Sequence, residues 1–316
     1  DSGMIQSGTI ERCLIASNYC GTVGGGMTFH SAYAGGGGLV RDSTIMNNIA
    51  RTSGGGIGCR DGVQAVIISN CLIQGNTVSN DYGGGMLLSS VTGTSTIWGC
   101  VIESNVANRG GGVYMEGVSK IQNTILRDNS ANQIISGAFL KHAEVQSCLI
   151  MNNALISGTS NGNDCAVAIN TNTIMENCTI VSNLASGGGI RVVATNGIAV
   201  RNCIVRDNSR LDGVRQDLVF GIGLGGGTNY FFNSCFGTMQ LPAHQGNFTN
   251  DPMFVEAVNN NYRLQKGSPC INTGMNQPWM DNALDIGRRL RLDCFSRKVD
   301  MGAYEFVPNG MLFMGK

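Results

Sequence analysis

Tyr114, Glu116, Lys141 and His142, with Arg60 upstream, are the side chains whose types and spacing suit proton transfer beside a negatively charged substrate. Counted from a recurring glycine triplet, the second residue of each repeat reads Thr28, Gly58, Leu87, Tyr114, Leu140, Ala168 and Arg191. The fourth reads His30, Arg60, Ser89, Glu116, His142, Asn170 and Val193. Alternation along a strand would turn both columns to solvent. Stacked repeats would then bring Tyr114, Glu116 and His142 within side-chain reach, with Arg60 two rungs away. In such a cluster His142 or Lys141 would be the base, Tyr114 the acid, and Arg60 the partner of a uronate carboxylate. The same residues would equally make a sugar-binding groove or an ordinary wet face. Two features weigh against catalysis. The acids are scattered over Glu11, Glu103, Asp128, Glu176 and Asp207, with no clustered pair of the glycosidase kind. No repeated Asp motif suggests calcium. His30 and His244 stand alone and read as incidental.

The elements that must position these residues are written in a repeat. A small residue, an apolar pair, two variable positions and Asn recur eight times, from Cys13-Leu-Ile-Ala-Ser-Asn18 to Cys203-Ile-Val-Arg-Asp-Asn208. The Asn-to-Asn intervals are 30, 28, 29, 24, 24, 30 and 25 residues. Periods of this length mark a solenoid. The glycine triplet follows most of these Asn, as in Gly54-Gly-Gly-Ile57 and Gly110-Gly-Gly-Val113. Two repeats replace it with Ser136-Gly-Ala and Asp164-Cys-Ala. An apolar residue precedes the Cys position by three: Ile10, Val40, Ile68, Ile97, Ile121, Val145, Met175, Val200.

Each repeat thus holds three short apolar-alternating runs, too short for helices. The predicted fold is all-β: a right-handed parallel β-helix of about nine coils with three short strands per coil. The residue before the Cys position is often Asn or Asp (Asp42, Asn70, Asn123, Asn177, Asn202), as a left-handed corner would favour. The Asn columns are expected to form structural ladders. Seven cysteines (Cys13, Cys71, Cys100, Cys148, Cys178, Cys203, Cys235) share one inward repeat position and are expected to stack as free thiols.

Lys and Arg number 21, as do Asp and Glu, and charged residues are 13% of the chain. No basic stripe supports nucleic-acid binding. No apolar run reaches the ~18 residues of a membrane span. No Cys/His spacing suits a metal, and no cofactor is expected. The sequence starts at Asp1 almost inside a coil, without an amphipathic cap. That predicts either end-to-end stacking of copies or a longer parent polypeptide.

The repeat fades after Asn208, so residues 1–240 are read as the solenoid and 241–316 as a cap packed on its end. The cap carries Asp251-Pro-Met-Phe254, Asn261-Tyr-Arg-Leu264, Gly267-Ser-Pro-Cys-Ile-Asn-Thr-Gly274, Asp285-Ile-Gly-Arg288 and Val299-Asp-Met-Gly-Ala-Tyr-Glu305. Asp285, Arg288, Asp300 and Glu305 are expected to pair and close the sheet edge. These motifs resemble the C-terminal region of bacterial secreted or surface β-helix proteins of the pectate-lyase-like, choice-of-anchor type. Asn272 stands where that pattern has Asp. The glycine and IxxN repeats are similar to those of chlamydial polymorphic outer membrane proteins. Together the two resemblances cover nearly the whole chain. They imply a bacterial extracytoplasmic protein, secreted or on the cell surface. The favoured function is a surface or structural shaft for adhesion, assembly or glycan contact without catalysis. The alternative is a lyase, epimerase or hydrolase acting on an acidic polysaccharide.

Overall fold

A computed structural model describes residues 4–5, 8–30, 37–60, 62–89, 92–157, 164–194, 196–221, 230–238, 245–294 and 296–308. The chain winds into a parallel β-helix. Three parallel sheets of nine strands run its length, each strand hydrogen-bonded to its counterpart in the coils before and after. One coil runs through Val113–Met115 in the first sheet, Ser119–Gln122 in the second and Ile125–Arg127 in the third. A fourth ladder of eight strands, most of them two residues long, adds a side that the repeat did not announce; Tyr19–Cys20 and Thr77–Val78 belong to it.

The corners follow from residue type. Asp42, Asn70, Asn123, Asn177 and Asn202 turn the chain from second to third sheet with φ between 49° and 54°. Asn reaches this left-handed region at low cost because its side chain bonds locally. At the glycine corner, Gly110 has φ 65°. Its neighbour Gly111 lies so close to the adjacent coils that a Cβ would meet the carbonyl oxygens of Ser130 at 2.2 Å and Ser136 at 2.5 Å. Only a residue without Cβ lets the coils approach so closely.

One apolar column fills the interior. Val40, Ile68, Ile97, Ile121, Val145, Met175 and Val200 from the second sheet meet Ile45, Ile73, Ile102, Leu126, Ile150, Ile180 and Val205 from the third. All are at most 1% exposed. Cys71, Cys100, Cys148, Cys178 and Cys203 stack among them as free thiols. Cys13, of the first coil, is exposed. Cys235 does not join this column. Ile204, not Cys203, is its partner in register, while the Cys203 N–H donates to Ser234 Oγ. A shift of one residue moves a side chain to the opposite face.

At the next corner the Asn ladder runs through the interior. Asn48, Asn76, Asn105, Asn129 and Asn153 each direct both their backbone N–H and Nδ2 to the Oδ1 of the following Asn, at 2.9–3.1 Å. Nδ2 also donates to a carbonyl of the preceding coil, such as Asn105 to Ile73. These buried amides are therefore satisfied without water, as buried polar groups must be.

The C-terminal arm, described from residue 245, first pairs with the last rung, where Phe248 bridges Cys235, and then lies along the flank of the third sheet. The expected boundary at 240/241 falls outside the described residues. In early coils the third-sheet strands bury only their middle residue, as in Leu72–Gln74. Under the arm all three are buried, as in Leu149–Met151 and Thr179–Val181. Tyr262 and Ala303 pack on Leu149, Met151 and Val181. The anchor is Arg291, wholly buried. It donates to Ser147 Oγ at 3.0 Å, Glu305 Oε1 at 2.5 Å, and the carbonyls of Asn177 and Gly302 at 3.2 and 2.7 Å. Asp285 and Asp300 accept backbone N–H groups of Arg289, Glu305, Asn272 and Phe306. Of the expected clasp, Glu305 alone pairs with an arginine, and that arginine is Arg291, while Asp285 and Asp300 hold backbone N–H groups. Arg288 instead takes a left-handed turn, φ 63°.

Candidate functional site

The candidate face is the outer side of the first sheet. Val113 and Met115 point inward, so Tyr114 between them points out. In the next coil Tyr114 pairs with Phe139 and Met115 with Leu140. Lys141 continues that register beyond Glu116, its N–H donating to the Met115 carbonyl. His142 is therefore displaced from the column by one residue. It occupies a left-handed corner, φ 57°, where Nδ1 lies 3.3 Å from Asn172 Nδ2. Leu140 is an inward core residue, 0% exposed.

The offset has a local cause. Gly112 donates to the Gly137 carbonyl, so the counterpart of the glycine triplet is Ile135-Ser136-Gly137. Ile135 occupies the place of Gly110 with φ 60°. A β-branched residue in that conformation is uncommon and conceals the repeat. The inward alternation of Ala138 and Leu140 was the signal that could have set the register.

The outer column consequently reads His30, Arg60, Ser89, Glu116, Lys141, Asn170. Beside it stands an aromatic stack. The rings of Tyr82 and Tyr114 are 4.4 Å apart, and those of Tyr114 and Phe139 are 4.4 Å apart and nearly parallel. Arg109 lies over the Tyr82 ring, 5.7 Å from its centroid, a cation–π arrangement. The Tyr114 hydroxyl lies 3.5 Å from Glu116 Oε1. Burial against the neighbouring rings, then the Glu116 charge, push the Tyr114 phenol well above its ordinary value. It stays protonated and can donate a hydrogen bond or a proton, not accept one as a base.

Arg60, Ser89, Tyr82, Tyr114 and Glu116 line a shallow groove of about 270 Å³. Deep small-molecule sites usually exceed ~300 Å³. A larger cavity, about 640 Å³, opens within the arm beside Asp300, Glu305, Leu290 and Phe306. Its carboxylates are engaged by Arg291 and backbone N–H groups, so we place the candidate site on the first sheet. Among the described residues no three or more His, Cys, Asp or Glu side chains gather to hold a metal ion. No helix there is long and apolar enough to cross a membrane. His244 lies outside the described residues.

Sequence reasoning missed a second polar row, on the second sheet. Glu176, 3% exposed, accepts from Arg201 at 3.0 Å, Gln146 at 3.2 Å and the Trp279 indole at 2.5 Å. Every donor there is protein, and Trp279 belongs to the arm. The row is therefore a fastening for the arm and not an open site.

No protein-family model and no curated protein matches the chain. Among solved structures it is similar to the crystal structure of pectate lyase Pel9A, with a TM-score of 0.54 and 10% identity. The match covers 94% of this chain and 87% of that one. At this identity the likeness establishes a pectate-lyase-like parallel β-helix fold and nothing about activity.

Proposed function

We propose that the chain is an extracellular shaft that contacts acidic polysaccharide through the outer face of its first sheet, without cleaving it. The observation that carries this reading is the register around Tyr114. It lines up Arg60, Ser89, Glu116 and Lys141 in one open row and leaves His142 at a corner. Successive coils repeat at ~4.8 Å, so such a row offers evenly spaced polar contacts to an extended polymer. Arg60 and Lys141 supply cations for carboxylates, while the edges of the Tyr82–Tyr114–Phe139 stack supply apolar surface. The groove is too shallow to enclose a small ligand. The extracellular setting rests on the resemblance of the C-terminal motifs to secreted and surface β-helix proteins.

A polysaccharide lyase is the second reading, favoured by one observation. Lys141, a candidate base, shares its column with Glu116 and Arg60, two rungs from Glu116. The two readings separate in a panel of uronate polymers scored in the same wells for binding and for unsaturated product absorbance. Binding without product, weakened by Arg60→Ala, supports the shaft. Product formation lost in Lys141→Ala or Tyr114→Phe establishes the lyase. Neither binding nor product removes glycan contact and leaves a structural role.

A further inference from the structure

We propose that Cys235 and Cys270 form a redox latch: a disulfide between them fastens the C-terminal arm to the last rung of the solenoid. The pair stands apart from the other cysteines through register. The thiols of Cys148, Cys178 and Cys203 occupy the same inward position of successive coils. Each donates to backbone carbonyls, Cys178 to Val145 and Glu176, Cys203 to Arg201, as Cys235 does to Asn250, and neighbouring column thiols also interact, so orientation alone separates the pair. Their side chains leave parallel strands in the same direction, an orientation that strains a disulfide.

Cys235 is displaced by one residue onto the outer face of the third sheet, beside Ile204. There it meets Cys270, which arrives from the opposite side in the arm's Gly267-Ser-Pro-Cys turn. The two side chains share one buried cluster, lie within interaction distance of each other, and are 0% exposed. Leu264, Met301 and Ile204 surround them. Both are free thiols in this structure.

The arm is already built to hold Cys270 at this spot. The Cys270 N–H donates to Ser268 Oγ at 3.2 Å, its carbonyl accepts from Met301 at 3.0 Å, and Ser268 Oγ donates to the Pro252 carbonyl at 2.6 Å. The chemistry is thiol–disulfide exchange with a small-molecule disulfide as oxidant. A thiolate of the pair attacks one oxidant sulfur, forming a mixed disulfide and expelling one small thiol. The second cysteine then attacks the mixed disulfide, forming the Cys235–Cys270 bond and expelling the second small thiol. The two electrons of the pair reduce the oxidant, and its two thiols take up the two protons. The docked pair is dry, and the Cys235 hydrogen bond and burial both hold Cys270 as a thiol. Oxidation therefore proceeds from a state in which the arm has lifted, and it traps the arm on reclosure. Secreted β-helices meet the oxidising conditions this requires.

The test uses the full chain, incubated with oxidised glutathione, with and without urea below the unfolding midpoint, then denatured and alkylated. The expected result is the loss of two of the twelve alkylatable thiols, and one cross-linked peptide pair joining Cys235 to Cys270. Urea should accelerate the reaction. Oxidation should slow proteolytic release of the arm severalfold, and dithiothreitol should restore it. Cys235→Ser and Cys270→Ser should each abolish both effects, and the wild-type peptide map stands alone if either variant misfolds. Twelve alkylated thiols, a cross-link elsewhere, or a Cys235–Cys270 bond without slower arm release would each overturn the latch.

Discussion

Asp217 accepts both the backbone N–H of Asn208, at 3.1 Å, and its Nδ2, at 3.0 Å, on the same oxygen. It does for Asn208 what each Asn does for the one before it, but a carboxylate has no N–H to pass on. Its other oxygen takes Thr238 N and Oγ1. The ladder of side-chain amides therefore ends on a carboxylate side chain able only to accept, while the Asp217 backbone N–H still donates to Thr238 Oγ1.

Removing one member of the ladder should cost more than one ordinary hydrogen bond. Asn129→Ala deletes donors to Asn153 and Ile102 and strands the backbone N–H and one of the two Nδ2 hydrogens of Asn105 in a dry interior, the other still reaching Ile73. Orphaned buried groups cost about 1–3 kcal/mol each. We expect urea unfolding to show a loss of about 2–4 kcal/mol for Asn129→Ala. Asp217→Ala should lose a comparable amount. Asn132→Ala, whose amide makes a single bond to Asn108 at the surface, should change stability little.

Arg291→Met should free the arm before it melts the coils. The substitution removes the donor from Glu305, Ser147 and the carbonyls of Asn177 and Gly302. Breaking a buried pair on one side costs about 3–5 kcal/mol. Hydrogen exchange should rise over 262–306 while the amides of the second sheet in coils not covered by the arm keep wild-type protection. Uniform loss across both regions would mean that arm and coils unfold as one unit.

Acidity should tighten the arm through Asp300. Burial pushes this carboxyl up to about 6, against the bonds from Phe306 and Asn272 and the Arg291 charge, which pull it down. Glu305 is shifted the same way, again chiefly by burial. A group whose value is higher in the folded state favours folding most below its ordinary value and loses that contribution as pH rises through the folded value. The Asp300 contribution is thus complete below about pH 4 and gone above about pH 6. Exchange of the Asn272 and Phe306 amides, corrected for its intrinsic pH dependence, should be slower at pH 4.5 than at pH 7. Asp300→Asn should flatten that difference.

The charges of the outer column should act with opposite sign on an acidic polymer. Arg60→Ala is expected to weaken binding several-fold, and Glu116→Gln to strengthen it, because neutralising the carboxylate removes a repulsion beside Lys141. Both effects should shrink as ionic strength rises from about 0.01 to 0.15 M, since exposed charges are screened over ~8 Å at the upper figure. Equal affinities for the three proteins would move the contact surface off the first sheet.

The fold was legible because Asn48, Asn76 and their successors recur with Cys-x-Ile at the spacing of a coil. Both departures from that reading lie where a repeat is degenerate. Ile135 in the place of a glycine hid the true start of its coil and shifted Leu140 and His142 by one residue. At the last rung Ser234, not Cys235, continues the Cys column, because Ser43 and Thr124 had already shown that a hydroxyl serves there. The position of the arm left a trace that went unread. In one outward column of the third sheet, Gln74, Glu103 and Arg127 give way to Met151 and Val181 where the arm lies. Arg291 was harder to single out. Four arginines fall between 288 and 297, and only packing decides which one goes inside.

The one-way ladder also bears on how such a protein can change size. Every internal coil takes from one neighbour and gives to the other in the same manner, so duplicating or deleting a whole coil leaves the ladder's bonds intact at each junction. Asp217 belongs only at the finish, where its side chain accepts without offering an amide to a further side chain. The shaft is in effect a ruler with a marked end: its graduations can be multiplied, while the terminus and the fastened arm stay as they are.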